Sequence, residues 1–85
     1  MKIVINVELG FGGRSGVEAR SPDLKLTGHG IEEQDALQSL RRGIIAWCNG
    51  LHLQGKLEEV LKRKRLHWED NGDTTIVELN HKADR

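Results

Sequence analysis

The side chains able to do chemistry in this chain are scattered, and their spacing decides what they can do. Glu8, Glu18, Asp23, Glu32, Glu33, Asp70 and Asp73 are the candidates for acid–base or two-metal work. Glu8 sits on an alternating segment, faintly like a nuclease that carries carboxylates on a sheet. Alternation alone, however, puts Glu8 and Glu18 on the wet face of a hairpin. Glu32 and Glu33 suit the first turn of a helix, where the helix dipole favours negative charge. No spacing brings three carboxylates together, so no catalytic residue is assigned and the chain reads as a non-enzyme. His29, His52, His67 and His81 show no His-x-x-x-His spacing, and the lone Cys48 has no Cys-x-x-Cys mate. Neither a metal nor a cofactor is expected. Cys48 lies beside Trp47 without a local cation to activate it, which marks a small core or half-buried residue. Ser15, Ser21 and Ser39 lack a nucleophile-elbow context.

Two further motifs point to anions. Gly28-His29-Gly30 lies between a strand and a helix, but it lacks the Lys-Ser/Thr of a phosphate loop and the glycine spacing of a dinucleotide site. A tight strand-to-helix turn explains it better. Lys62, Arg63, Lys64 and Arg65 form the basic cluster, and nucleic-acid binding through them is the alternative reading of the whole chain. Against it, the cluster sits at a helix C-terminus that welcomes cations, and Glu58 and Glu59 lie within reach of Lys62 and Arg63. No Phe or Tyr is interleaved for base stacking.

These residues must be held by one small domain. The chain has 85 residues and 9.6 kDa, with 36% hydrophobic and 31% charged residues, a balance that fits a folded domain with a solvated exterior. Thirteen basic residues offset thirteen acidic ones, so no global field recruits nucleic acid or membrane. No apolar run approaches the roughly 18 residues that span a bilayer. Met1-Lys2 leads straight into a strand pattern, so no secretion signal is expected and the expected location is cytoplasmic. A single cysteine excludes a disulfide or small zinc scaffold.

Ile3, Ile5, Val7 and Leu9 alternate with polar positions and predict a strand over 1–9. Gly10-Phe11-Gly12-Gly13 predicts a turn, and 14–20 a second, antiparallel strand. Pro22 ends it, and Leu24 to Thr27 predict a short third strand. From Ile31 the period becomes helical, with Leu37, Leu40, Ile44, Trp47 and Leu51 as the apolar stripe and Gln38, Arg41 and Arg42 toward water. Gly50 suits the left-handed position past the helix end. A second helix is expected from Lys56 to Arg65, with Leu53, Leu57, Val60 and Leu61 on its apolar side. Leu66-His67-Trp68 and Thr74 to Leu79 predict two strands, joined as a hairpin through Asn71-Gly72. The fold class is therefore α+β: a three-stranded antiparallel meander, a helix, a short second helix and a closing strand. One domain spans 1–80, and 81–85 form a frayed polar tail.

Ser21-Pro22-Asp23-Leu24, Gly28 and the helix text Ile31-Glu32-Glu33-Gln34-Asp35-Ala36-Leu37-Gln38-Ser39-Leu40 resemble the HicB-like antitoxin family. There a Pro-Asp-Leu turn leads through a glycine into a helix with a Leu-Glu-Glu-Ala-Leu flavour. The resemblance covers residues 1–50 and the closing strand at 74–79. It implies a partial ribonuclease-H-like fold without catalysis. The implied function is to neutralise a small HicA-type mRNA interferase by covering it. The resemblance also implies a small basic partner, and exposed sheet edges suggest a homodimer. Contacts are expected at Ser21, Pro22, Asp23, Leu24 and Lys25. Two departures stand out. Family members often continue Pro-Asp-Leu with Pro-Gly-Cys, where this chain has Leu24-Lys25-Leu26. Many also carry a C-terminal DNA-binding domain, whereas this sequence stops at Arg85.

Overall fold

The computed structural model describes residues 1–11, 16–70, 72 and 75–81. Among these the chain forms β1 (Lys2–Phe11), β2 (Val17–Ser21), β3 (Leu26–Gly30), α1 (Glu33–Leu53), α2 (Leu57–Arg63), β4 (His67–Glu69) and β5 (Ile76–His81). The α+β class and the order of meander, helices and closing strand are those the sequence implies. β1 pairs antiparallel with β2 from Glu8↔Arg20 to Phe11↔Val17, and β2 with β3 from Val17↔Gly30 to Ser21↔Leu26.

The two halves of β1 have different neighbours. Its C-terminal half belongs to the meander. Its N-terminal half pairs antiparallel with β4 (Lys2↔Glu69 to Val4↔His67) and parallel with β5 (Lys2↔Ile76 to Val7↔His81). Lys2, Ile3 and Val4 pair with both strands, so β4 and β5 occupy opposite edges of β1. The Asn71-Gly72 hairpin is therefore corrected: β4 and β5 do not pair with each other, because β1 runs between them. Two-residue turns join adjacent strands only. Asn71, Asp73 and Thr74 lie outside the described residues. The Met1 amino group donates to the Gly72 carbonyl at 3.3 Å, and the Ile76 amide donates to the Met1 carbonyl at 2.8 Å. Gly72 and Ile76 thus both meet Met1 at the start of β1.

One face of the sheet is covered and carries the core. Ile3, Ile5 and Val7 meet Val17, Ala19, Val77 and the α1 residues Ala36, Leu40, Ile44 and Cys48, with Leu24, Leu57 and Leu61 completing the cluster. The buried α1 positions recur every four residues. Leu37, Trp47 and Leu51, expected in the stripe, are only half-buried at its flanks. Arg41 does not face water freely: its Nε donates to the Val77 carbonyl at 3.4 Å and ties α1 to β5. Trp68 lies opposite Ile3, on the covered face.

The glycines flanking His29 have a packing role. A Cβ on Gly28 would collide with the Leu40 nitrogen and the Ala36 carbonyl, and one on Gly30 with Asp35 and the Ala36 nitrogen. Both glycines lie on the covered face, two residues apart, and let the α1 backbone rest directly on β3. The expected strand-to-helix turn is thus part of β3, which begins at Leu26 rather than Leu24. A turn at Gly10-Phe11 is corrected likewise: both remain in β1, while Gly12 and Gly13 lie outside the described residues, as do Arg14 and Ser15.

Both helices end on the same device. After α1 the Lys56 amide donates to the Leu51 carbonyl at 2.9 Å and the Gly55 amide to the His52 carbonyl at 3.0 Å, with Gly55 at φ +71°. That is a Schellman motif, and it moves the left-handed position from Gly50, which stays helical, to Gly55. The helix therefore absorbs Leu53, which ends α1 and is 86% exposed instead of lining α2. After α2 the Leu66 amide donates to the Leu61 carbonyl and the Arg65 amide to the Lys62 carbonyl, both at 3.0 Å. Here Arg65 takes the left-handed place at φ 57°. β5 runs on through His81, which the sequence assigns to the polar tail; residues 82–85 lie outside the described residues.

Candidate functional site

The turn from β2 to β3 is built by Ser21. Its carbonyl accepts from the Lys25 amide at 2.8 Å, and its Oγ accepts from the Leu24 amide at 3.3 Å. Pro22 is placed where no strand hydrogen bond is required of it, and Lys25 closes the turn in the left-handed region at φ 59°. Ser21 is 1% exposed and Leu24 8%, so these two anchor the turn from inside. Pro22, Asp23 and Lys25 remain as its surface. Of the five residues expected to make contacts, three are thus available to a partner and two hold them in place.

Beside this turn is a shallow groove of about 220 Å³ lined by Glu8, Arg20, Ser21, Pro22, Lys25, Leu26 and Thr27. Arg20 and Thr27 were not singled out in the sequence, although alternation from Ala19 already put Arg20 on the outer face. Arg20 reaches Glu18 at 3.7 Å along β2 and Glu8 at 3.9 Å across to β1.

The groove opens onto the uncovered face of the sheet. Registry brings Lys2, Val4, Asn6 and Glu8 of β1 onto it, with Glu18 and Arg20, Thr27 and His29, His67 and Glu69, and Ile76, Glu78 and Asn80 from the other strands. Among the described residues four carboxylates thus share this face with two fixed cations, Lys2 and Arg20. Lys2 pairs with Glu78 at 3.0 Å, and the hydrogen bond and charge of Glu78 raise the Lys2 pKa. Asn80 donates to Asn6 Oδ1 at 3.0 Å. Glu8 therefore meets Arg20, and among the described residues no three His, Cys, Asp or Glu side chains gather to hold a metal.

The basic cluster at the end of α2 is adjacent to the turn. Lys64 Nζ donates to the Asp23 carbonyl at 3.2 Å, a contact across 41 positions that no local pattern signals. Arg63 pairs with Glu59 at 2.9 Å, one helical turn back. Two of the four cations are thus engaged within the fold, and Arg65 serves the helix end. The α1 N-terminus is occupied by its own side chains, since the Glu32 amide donates to Asp35 Oδ2 at 3.3 Å. Cys48 is buried among apolar groups, and burial raises its thiol pKa to about 11, which leaves it protonated and unreactive. Among the described residues no helix is long and apolar enough to cross a membrane.

Comparison of the chain with protein-family models, with curated proteins and with solved structures gave no match.

Proposed function

We propose that this chain is a non-enzymatic protein-binding module of the HicB kind, acting in the cytoplasm to neutralise a small basic HicA-type toxin by covering it. The observation that carries the reading is the open outer face of the sheet. It presents Glu8, Glu18, Glu69 and Glu78 beside a groove bordered by the exposed turn residues Pro22 and Lys25. An uncovered, acid-rich face suits a basic protein surface and steers its approach. The order of meander, helix and closing strand, with α2 and β4 inserted before the close, agrees with what the resemblance implies. Self-association through a sheet edge belongs to the same reading.

The test is rescue. The small basic protein that accompanies this chain in its native host is expressed alone and together with it. Growth arrest by the partner, relieved by the chain and not by a Glu8→Lys/Glu78→Lys variant of unchanged Tm, is the expected result. A partner that is harmless alone, or equal rescue by the charge-reversed variant, would overturn the reading.

A further inference from the structure

We infer that the outer edge of β3 receives an extended strand from a different protein, laid alongside Leu26–Gly30 beneath the Ser39–Gly43 flank of α1. The inference rests on the protein-binding reading and adds where, and in what conformation, the partner engages.

Among the described residues β3 has one neighbour, β2, and none of them pairs with its other edge. Natural proteins defend such edges with charge, proline or a bulge. The sequence of β3 is Leu-Thr-Gly-His-Gly, without a Lys, Arg, Asp, Glu or Pro, in a chain that is 31% charged. By contrast β5, the strand that ends the other side, carries Glu78 locked to Lys2.

The helix above leaves room for the incoming strand. Ala36, Leu40, Ile44 and Cys48 face the sheet, and Arg41 reaches across to Val77 of β5. Ser39 and Gly43, one position before Leu40 and Ile44, therefore flank the side away from β5, above the outer edge of β3. A Cβ added at Gly43 meets nothing within 4 Å. Mid-helix glycine is unfavourable relative to alanine, and here it keeps the space beside the edge clear.

The same geometry identifies the occupant by exclusion of a second copy. Antiparallel pairing of β3 with its own copy would put both α1 helices on one face of the joined sheet. Each helix rests directly on its β3 through Gly28 and Gly30. Neighbouring strands are about 4.8 Å apart, whereas packed helices need about 8–10 Å between axes. Two copies therefore clash at this edge, and self-association has to use another, such as that of β5. A strand with no helix above it meets no such obstacle. Its side chains would alternate between small apolar groups beneath α1 and polar groups beside Thr27 and His29.

The test titrates isotope-labelled full-length protein with the blocked peptide acetyl-Lys-Thr-Val-Thr-Val-Thr-Lys-amide, followed by amide shifts and hydrogen exchange. Shifts and new protection confined to Leu26–Gly30 and the Ser39–Gly43 turn are expected. Gly43→Lys fills the cleared space and should weaken peptide binding at least about tenfold, while raising Tm by about 4 °C through better helix propensity. No binding, perturbation centred on Ile76–His81, or unchanged affinity in Gly43→Lys would overturn the inference. So would protection of the β3 edge amides in the protein alone with the mass of a dimer. Each of these outcomes leaves the rescue experiment above untouched, so the two claims fail separately.

Discussion

The two halves of β1 are held by different means. The C-terminal half joins a local meander whose third strand is pressed against α1, backbone on backbone, at Gly28 and Gly30. The N-terminal half is gripped by strands that arrive from the far end of the chain, one of three residues and one of six. There the link to α1 includes a single long side chain, Arg41, reaching Val77. The contrast teaches where this small fold is rigid and where it yields. The rigid part carries the β2–β3 turn and the outer edge of β3, and the yielding part closes the sheet.

The sharpest way to break that contrast is to change Gly28. Gly28→Ala drives a methyl into the α1 main chain, which cannot rotate away, and should cost about 3 kcal/mol in chemical denaturation. Gly10→Ala, on the meander half but with open space around it, should change stability by less than about 0.5 kcal/mol. Equal effects at the two sites would remove the distinction. Hydrogen exchange gives the next largest signal. The amides of His67–Glu69 should open with about 2 kcal/mol less protection than those of Val17–Ser21, because β4 is short and mostly exposed.

Arg65 tests the approach to β4. An arginine in the left-handed region is strained by about 1 kcal/mol, so Arg65→Gly should raise stability by that amount and leave the Schellman motif intact. Arg41→Ala should lower stability by about 0.5–1 kcal/mol through loss of the Val77 hydrogen bond.

The smallest effect is at alkaline pH. Burial raises the Cys48 pKa to about 11 from an ordinary value of 9.0. Between those values the unfolded thiol loses its proton while the folded one keeps it, so this contribution to stability falls as pH rises. Lys2, also raised, contributes below the ordinary lysine value of 10.5 and loses that contribution as pH climbs through its folded value. A thiol reagent at pH 8 should therefore label Cys48 only when the chain unfolds, and rapid labelling of native protein would contradict its burial.

Legibility in the sequence followed the same division. The meander and α1 could be read because period two and period 3.6 are local signals, and Ile3, Ile5, Leu40 and Ile44 obey them. Gly28 was visible as a glycine, but the reason for it was not, since the colliding atoms belong to residues eight and twelve positions later. The same holds for the neighbours of β1: Asn71-Gly72 favours a hairpin locally, yet the competing claim of β1 on both strands comes from the other terminus. Gly50 was read as the helix end from its residue type, and the backbone hydrogen bonds give that place to Gly55 instead. At the turn, Pro22 and Asp23 were legible as surface. The inward role of Ser21 and Leu24, and the Lys64 contact to Asp23, required the packed fold.

The central claim is that this chain is a protein-binding module whose β2–β3 side meets a small basic partner. The most direct test recovers tagged wild-type chain and the Asp23→Ala/Lys25→Ala variant from the native host, with mass spectrometry of what accompanies each. Both side chains are exposed, so Tm should stay within about 2 °C of wild type. The account predicts a small basic protein in stoichiometric amount with the wild type and its depletion from the variant. Recovery of the bait alone, or of the same partner in equal amount with both, would contradict it.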